Sequence, residues 1–440
     1  MRSITFILLA LIFTTGYSQE LTRRALWEAS LSKVPNAPGA LINSIESSSP
    51  LQKAGLLVND VILKVNGKLI ATDENLTSAT YALRSETPTQ LTVRRGSEVF
   101  EKSVQLNAIP YETHEGLETY YESVTSDYDI KHRAIITKPN NSKSKQPAIL
   151  FVGGLSCSTL ETYPGRDHNW AKMINIIVEK SGMVVMRVDK QGVGDSEGNC
   201  AEGDFEMDLA GYRAAIRKLK SLEYVDTTKI ILYGSSMGSA QSPMLANEFN
   251  LAGVISDGTF FKTWFEHMLE IERRLQQMQG VDESTIVKKM NEGYIPLYYN
   301  MLILKKSYGE IIEEYPALAE YNYHSPNHMY GRPMEYYHQL QDYDLAGEWE
   351  RLKAPVRILR GTNDWIMSDF DNDMIIEVLE KAGHKDHELV RYKDLDHWNT
   401  IHESPDNSFL GKPGKWDPKM AELVVNWARE MAGMKPIKLK

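Results

Sequence analysis

Ile230-Ile231-Leu232-Tyr233-Gly234-Ser235-Ser236-Met237-Gly238 sets four apolar residues ahead of a serine with small neighbours. The apolar run reads as a buried strand, and Ser239 to Phe249 reads as the helix that follows it. A G-x-S-x-G turn between strand and helix holds its serine in a strained, exposed elbow, where larger neighbours would clash. The helix adds the positive end of its dipole beneath the hydroxyl. The five-residue pattern alone arises readily by chance, so its flanks carry the reading.

Outward from this turn, short apolar strands alternate with helical stretches: Ala148 to Val152, Met183 to Val188, Gly253 to Ser256, Val356 to Leu359 and Glu388 to Tyr392. Such alternation predicts a doubly wound, mostly parallel α/β sheet covered on both faces. An antiparallel pair, Thr119 to Thr125 and Lys131 to Thr137, precedes it. Ligands of such sheets sit at the carboxyl ends of the strands.

A serine hydroxyl is a poor nucleophile until a base takes its proton, and in this order of elements the partners are an acid and then a histidine. The strand from Val356 runs into Gly361-Thr362-Asn363-Asp364, and the strand from Glu388 runs into Leu395-Asp396-His397-Trp398. Asp364 and His397 therefore stand where the orienting carboxylate and the general base belong. Asp257, at the end of the Gly253 to Ser256 strand, is the alternative acid, and His402 the alternative base.

With these residues in order, the chain resembles the α/β-hydrolase family. Val152-Gly153-Gly154-Leu155 is similar to that family's oxyanion loop, with Gly153 where histidine is usual. Asp189-Lys190-Gln191-Gly192-Val193-Gly194-Asp195-Ser196-Glu197-Gly198 is similar to its loop after the fourth strand, with Gln191 where arginine is common. The resemblance implies an oxyanion hole made by the backbone amides of Leu155 and Met237. It also implies acyl transfer through Ser236, with no metal or other cofactor. Cys157 and Cys200 follow those two loops, so a disulfide and a pair of free buried thiols are both open readings.

Between the strands ending near Ser256 and beginning at Val356 lies an insertion, about residues 259–352, where this family carries its lid. Phe265, Met268, Leu269, Leu275 and Met278 fall at helical spacing, so the lid is expected to be mainly helical. Eleven of the 22 tyrosines lie from Tyr294 to Tyr343, which suits either an aromatic pocket or a packing layer.

Upstream, Ser49-Pro50 opens a short helix stopped by Gly55, Asn59-Asp60 turns into Val61 to Val65, and Asn66-Gly67 closes a hairpin. Residues 19–108 thereby resemble the PDZ domains of bacterial periplasmic proteases, small α+β folds. The resemblance implies a peptide groove beside Leu41 to Ile45, with Gly39, Ala40, Leu41 and Ile42 receiving a peptide C-terminus by strand addition. Residues 109–440 form the catalytic domain in this reading.

Residues 1–18 read as an export signal: Arg2, an apolar run from Ile4 to Phe13 too short to span a bilayer, and small Gly16 and Ser18 before Gln19. The expected location is periplasmic or extracellular, with no membrane span after cleavage. A net charge of −10, spread without long blocks of one sign, argues against nucleic acid as a partner. The leading function is hydrolysis of a small-molecule carboxylic ester. A peptidase or amidase, an acyltransferase and a non-catalytic peptide-binding scaffold are the alternatives.

Overall fold

The computed structural model describes residues 21–140 and 144–439; the export signal read at residues 1–18 lies outside the described residues. The first part holds β1 (Ala29–Lys33), β2 (Ala40–Ile45), α1 (Pro50–Lys53), β3 (Val61–Val65), β4 (Lys68–Leu69), α2 (Asp73–Tyr81), β5 (Thr89–Arg95) and β6 (Glu98–Val104). Its sheet runs β1-β2-β3-β5-β6, with β4 paired to β3. Ile42, Leu51, Ile62, Leu91 and Val93 close a core of their own beneath it.

This pairing corrects the groove expected at Gly39, Ala40, Leu41 and Ile42. β2 is bordered on both sides, by β1 (Lys33 opposite Ala40, Leu31 opposite Ile42) and by β3 (Leu41 opposite Val61). The Gly39 amide donates to the Ile70 carbonyl at 2.7 Å and the Ile42 amide to the Asp60 carbonyl at 2.9 Å. An added peptide strand has no free amide row there. The edges of this sheet are β1 and β6.

The second part begins with β7 (Leu117–Thr125) and β8 (Lys131–Pro139), then β9 (Gln146–Val152), α3 (Asn169–Lys180), β10 (Val184–Val188), α4 (Phe205–Ser221), β11 (Val225–Ser235), α5 (Met237–Phe249) and β12 (Gly253–Asp257). The insertion follows as α6 (Trp264–Met278), α7 (Glu283–Lys289), α8 (Ile295–Tyr298), α9 (Tyr308–Glu314), the hairpin β13 (His328–Met329) and β14 (Arg332–Pro333), α10 (Met334–Asp342) and α11 (Leu345–Arg351). Then come β15 (Val356–Gly361), α12 (Asp369–Lys381), β16 (His387–Tyr392), α13 (Pro405–Phe409) and α14 (Pro418–Met431).

The large sheet runs β16-β15-β12-β11-β9-β10-β8-β7, parallel from β16 to β10 and antiparallel at β8 and β7. Its central strands are buried on both faces. Along β9, Ala148, Leu150 and Val152 enter one core with α4 and α5, while Ile149 and Phe151 enter another with α3 and α14. The chain leaves β9 for β10 on one side and returns to β11 on the other. That reversal opens a crevice at the carboxyl ends of β9 and β11.

The two parts are joined by the segment ahead of β1. Its amides at Ala25 and Leu26 donate to the Leu83 and Asn107 carbonyls of the small domain. Arg23, buried, reaches the other way, to Asp195 at 3.0 Å and to Glu161. The Arg24 amide adds a bond to Asp195 at 2.8 Å.

Candidate active site

Ser236 joins β11 to α5 with φ 54° and ψ −121°, a positive-φ conformation that a side-chain-bearing residue adopts only under constraint. The constraint is visible. Its amide donates to the Asp257 carbonyl at 2.8 Å, and its carbonyl receives the Ser239 amide at 2.9 Å. A β-carbon on Gly238 would stand 2.0 Å from the Val152 carbonyl oxygen, and one on Gly234 2.3 Å from the Ser242 hydroxyl oxygen. Both glycines are therefore required by close packing against β9 and within α5.

The structure brings Ser236, His397 and Asp364 together. His397 Nε2 lies 3.0 Å from Ser236 Oγ, and His397 Nδ1 lies 2.9 Å from Asp364 Oδ2. The other carboxylate oxygen of Asp364 accepts the amides of Ile366 at 2.8 Å and Met367 at 3.0 Å. Burial alone would raise this carboxyl; the His397 ring, the Arg360 guanidinium and the Met367 amide outweigh it and hold Asp364 below its ordinary value. Burial would likewise lower His397, yet the Asp364 carboxylate, helped by Asp257 and Asp396, leaves the imidazole above its ordinary value.

The alternative acid and base are turned elsewhere. Asp257 accepts the Tyr233 hydroxyl at 2.7 Å, and burial pushes it up to about 6. His402 Nε2 faces Asp396 at 3.2 Å.

Leu155 and Met237 line the same chamber as Ser236. The loop that carries Leu155 is fixed at several points. Gly153 donates its amide to the Tyr212 hydroxyl at 2.9 Å, and buried Lys190 donates to the Gly154 carbonyl. Across a trans peptide the carbonyl and the next amide point in opposite directions. Anchoring the Gly154 carbonyl on Lys190 therefore turns the Leu155 amide the other way. Lys190 also faces Asp208 at 3.6 Å, and Asp208 accepts Arg332 of β14 at 2.7 Å. Burial pushes Lys190 down to about 8 against the pull of Asp208. Beyond the loop Cys157 and Cys200 are joined in a disulfide, with Cα atoms 5.9 Å apart. Lys190, Tyr212 and Arg332 were not singled out from sequence, and only the position of Lys190 in the quoted Asp189–Gly198 stretch hints at a role.

The chamber beside Ser236 has a volume of about 430 Å³ and aromatic walls from Phe260, Trp264, Trp365 and Trp398. Of the lid's tyrosines, Tyr323 and Tyr330 line it, whereas Tyr298, Tyr336 and Tyr337 are buried in packing. His267 also lines it, between the rings of Phe260 and Trp264, and burial pushes this imidazole down to about 4. Among the described residues, no group of three or more His, Cys, Asp or Glu is arranged to hold a metal ion.

A PDZ domain profile matches residues 25–106, and the profile described as serine aminopeptidase, S33, matches residues 174–404. No curated protein matches by sequence. Similar solved structures include the Pyrococcus furiosus esterase Pf2001, at 13% identity and TM-score 0.46, covering 74% of this chain and 97% of that one. Est1E from Butyrivibrio proteoclasticus, with ferulic acid bound, is 16% identical at TM-score 0.44 and covers 70% and 96%. A puromycin-hydrolysing peptidase of Mycobacterium tuberculosis is 12% identical at TM-score 0.47 and covers 81% and 46%. The profile match over residues 174–404 takes in more than half of the 440 residues, and the chain belongs to the serine aminopeptidase S33 family of α/β hydrolases, with a PDZ domain ahead of it.

Proposed function

We propose that this serine hydrolase cleaves carboxylic esters outside the cytoplasm, through an acyl-enzyme on Ser236. The observation that carries the reading is the continuous hydrogen-bond path from Asp364 through His397 to the Ser236 hydroxyl. His397 Nε2 takes the hydroxyl proton as Ser236 Oγ attacks the acyl carbon, and the imidazolium then hands that proton to the departing oxygen. Water repeats the sequence and releases the acid. Negative charge on the carbonyl oxygen is met by the amides of Leu155 and Met237, donors that act only as the tetrahedral species forms. The aromatic chamber supports an apolar acyl group. A peptide or amide substrate is the second reading, favoured by the PDZ domain over residues 25–106. The bridge between Cys157 and Cys200 supports export, because such bonds persist in oxidising compartments.

Ser236→Ala is expected to keep the fold and to lose all covalent labelling by a fluorophosphonate. Wild-type turnover of short p-nitrophenyl esters, with aminoacyl anilides left intact, is the expected substrate pattern; the reverse pattern would move the assignment to peptidase.

The base must be neutral to accept a proton, and Asp364 stabilises its protonated form. Activity should therefore appear as pH rises through a midpoint above the ordinary histidine value of about 6.5. Asp364→Asn should lower that midpoint and reduce kcat roughly 10⁴-fold, read from a pH–rate profile. A midpoint unchanged by the substitution would contradict the pairing.

Lys190→Met should lower kcat on the order of tenfold or more while moving KM little, because the Leu155 amide is needed in the transition state more than in the ground state. Lys190→Arg should restore part of the loss in the same steady-state assay. A change confined to KM would exclude the anchoring role.

Export predicts a secreted or periplasmic chain whose first residue is near Gln19. N-terminal sequencing of the mature protein reads this directly, and a chain retaining Met1 in the cytoplasm would sink the proposal.

A further inference from the structure

A second cavity, about 680 Å³, adjoins the aromatic chamber, and Gly154, Ser156, Trp170 and Trp398 line both. The two differ in charge. Among the described residues the chamber beside Ser236 has no lysine, arginine, aspartate or glutamate in its wall. The second cavity has Arg166, Lys190 and Lys412, with Asp189 and Asp396.

Its carboxylates are already engaged. Asp189 accepts the Leu160 amide at 2.7 Å and the Thr159 hydroxyl. Asp396 accepts the amides of Trp398 at 2.9 Å and Thr400 at 2.8 Å and the Ser408 hydroxyl at 2.8 Å, with His402 at 3.2 Å. Lys190 is turned onto Gly154 and Asp208. The other two cations differ. Arg166 donates to the carbonyls of Thr159 at 2.6 Å and Glu161 at 2.7 Å and stands 3.0 Å from the His168 ring. Lys412 donates to the Asn407 side-chain oxygen at 2.8 Å. Neither is paired with a carboxylate among the described residues, in a chain whose net charge is −10.

We infer that this polar cavity receives the leaving group, and that the leaving group carries a carboxylate near Arg166 and Lys412. The inference rests on the reading of Ser236 as nucleophile. An acyl group in the aromatic chamber then places the other half of the substrate across the Gly154–Ser156 loop, where neutral carbonyls and amides leave two positive charges uncompensated. A carboxylate there gains charge-assisted hydrogen bonds that a neutral group lacks. It has two chemical sources: an acidic alcohol or phenol released from an ester, or the free C-terminus of a short peptide released from an amide.

The test compares matched pairs on the full-length protein. One pair is the phenylacetyl ester of 4-hydroxybenzoate and the same ester of methyl 4-hydroxybenzoate. The methyl ester has the intrinsically better leaving group, so a preference for the carboxylate cannot come from reactivity. The second pair is a phenylacetyl dipeptide with a free C-terminus and its C-terminal amide. Wild-type kcat/KM is expected to favour the carboxylate member of one pair by about tenfold, and the active pair identifies the source. Lys412→Glu and Arg166→Gln should each shrink that ratio by about threefold or more, as should raising the salt. A substitution that only loosened the loop would lower both members together and leave the ratio intact. Equal turnover of both members by the wild type, or a ratio that survives both substitutions, overturns the inference. Hydrolysis of the neutral ester by the wild type and not by Ser236→Ala would keep the Ser236 reading standing in that case. If no pair is turned over and Ser236 is not labelled, both readings fall.

Discussion

The backbone of Ser236 is the constraint on which the rest of this structure turns. A positive φ at a serine costs on the order of 1–3 kcal/mol, and it persists only where the surroundings over-determine it. Here three strands do so. β12 supplies the Asp257 carbonyl to the Ser236 amide, β11 delivers the chain into the turn, and β9 packs its Val152 carbonyl against Gly238. Strand register thus determines where the hydroxyl stands. Gly234 lies opposite Val152 on one side and Ser256 on the other, so a slip at either border would carry the serine away from His397.

The loop that faces Ser236 is fixed differently, by buried polar groups reaching across the fold. Lys190 holds the Gly154 carbonyl, Tyr212 receives the Gly153 amide, and the disulfide from Cys157 to Cys200 closes the far end. Arg332 extends this chain of contacts into the lid through Asp208, and it also donates to Cys200 Sγ at 2.9 Å. Arg23 ties the same loop, at Glu161, to the segment that holds the PDZ domain. Removing one partner of such a buried pair leaves an uncompensated charge, at a cost of about 3–5 kcal/mol. Charged side chains thus tie this loop to the PDZ domain and to the lid, and the lid is held as well by the apolar core that Trp264, Met268, Tyr336 and Trp349 share with the sheet.

The sheet and the positions of Ser236, Asp364 and His397 were legible in the sequence because each has a local signal. An apolar strand precedes Gly234, and Asp364 and His397 each follow the end of a strand. Contacts that only three dimensions create left no such trace. Lys190 is an unremarkable lysine until Gly154 and Asp208 surround it. The cysteines needed a Cα separation to decide between bridge and thiols. The PDZ groove was misplaced for a related reason. Ala29–Lys33, with its two serines and a lysine, gives little strand signal, yet it pairs along β2 and takes the edge that the reading had left open.

Two buried carboxylates lie near one imidazole, and their surroundings separate them. Asp364 collects His397 on one oxygen and two amides on the other, so its charge is held in place. Asp257 has the Tyr233 hydroxyl, and burial pushes it up to about 6. One carboxylate is thereby held below its ordinary value in contact with the ring, while the other acts on it through space. The nearer charge occupies Nδ1, and the farther one, with Asp396, helps to hold the imidazole above its ordinary value without competing for that nitrogen. The division follows from the number of donors each oxygen meets, which is why a strand-end aspartate at position 257 does not replace the one at 364.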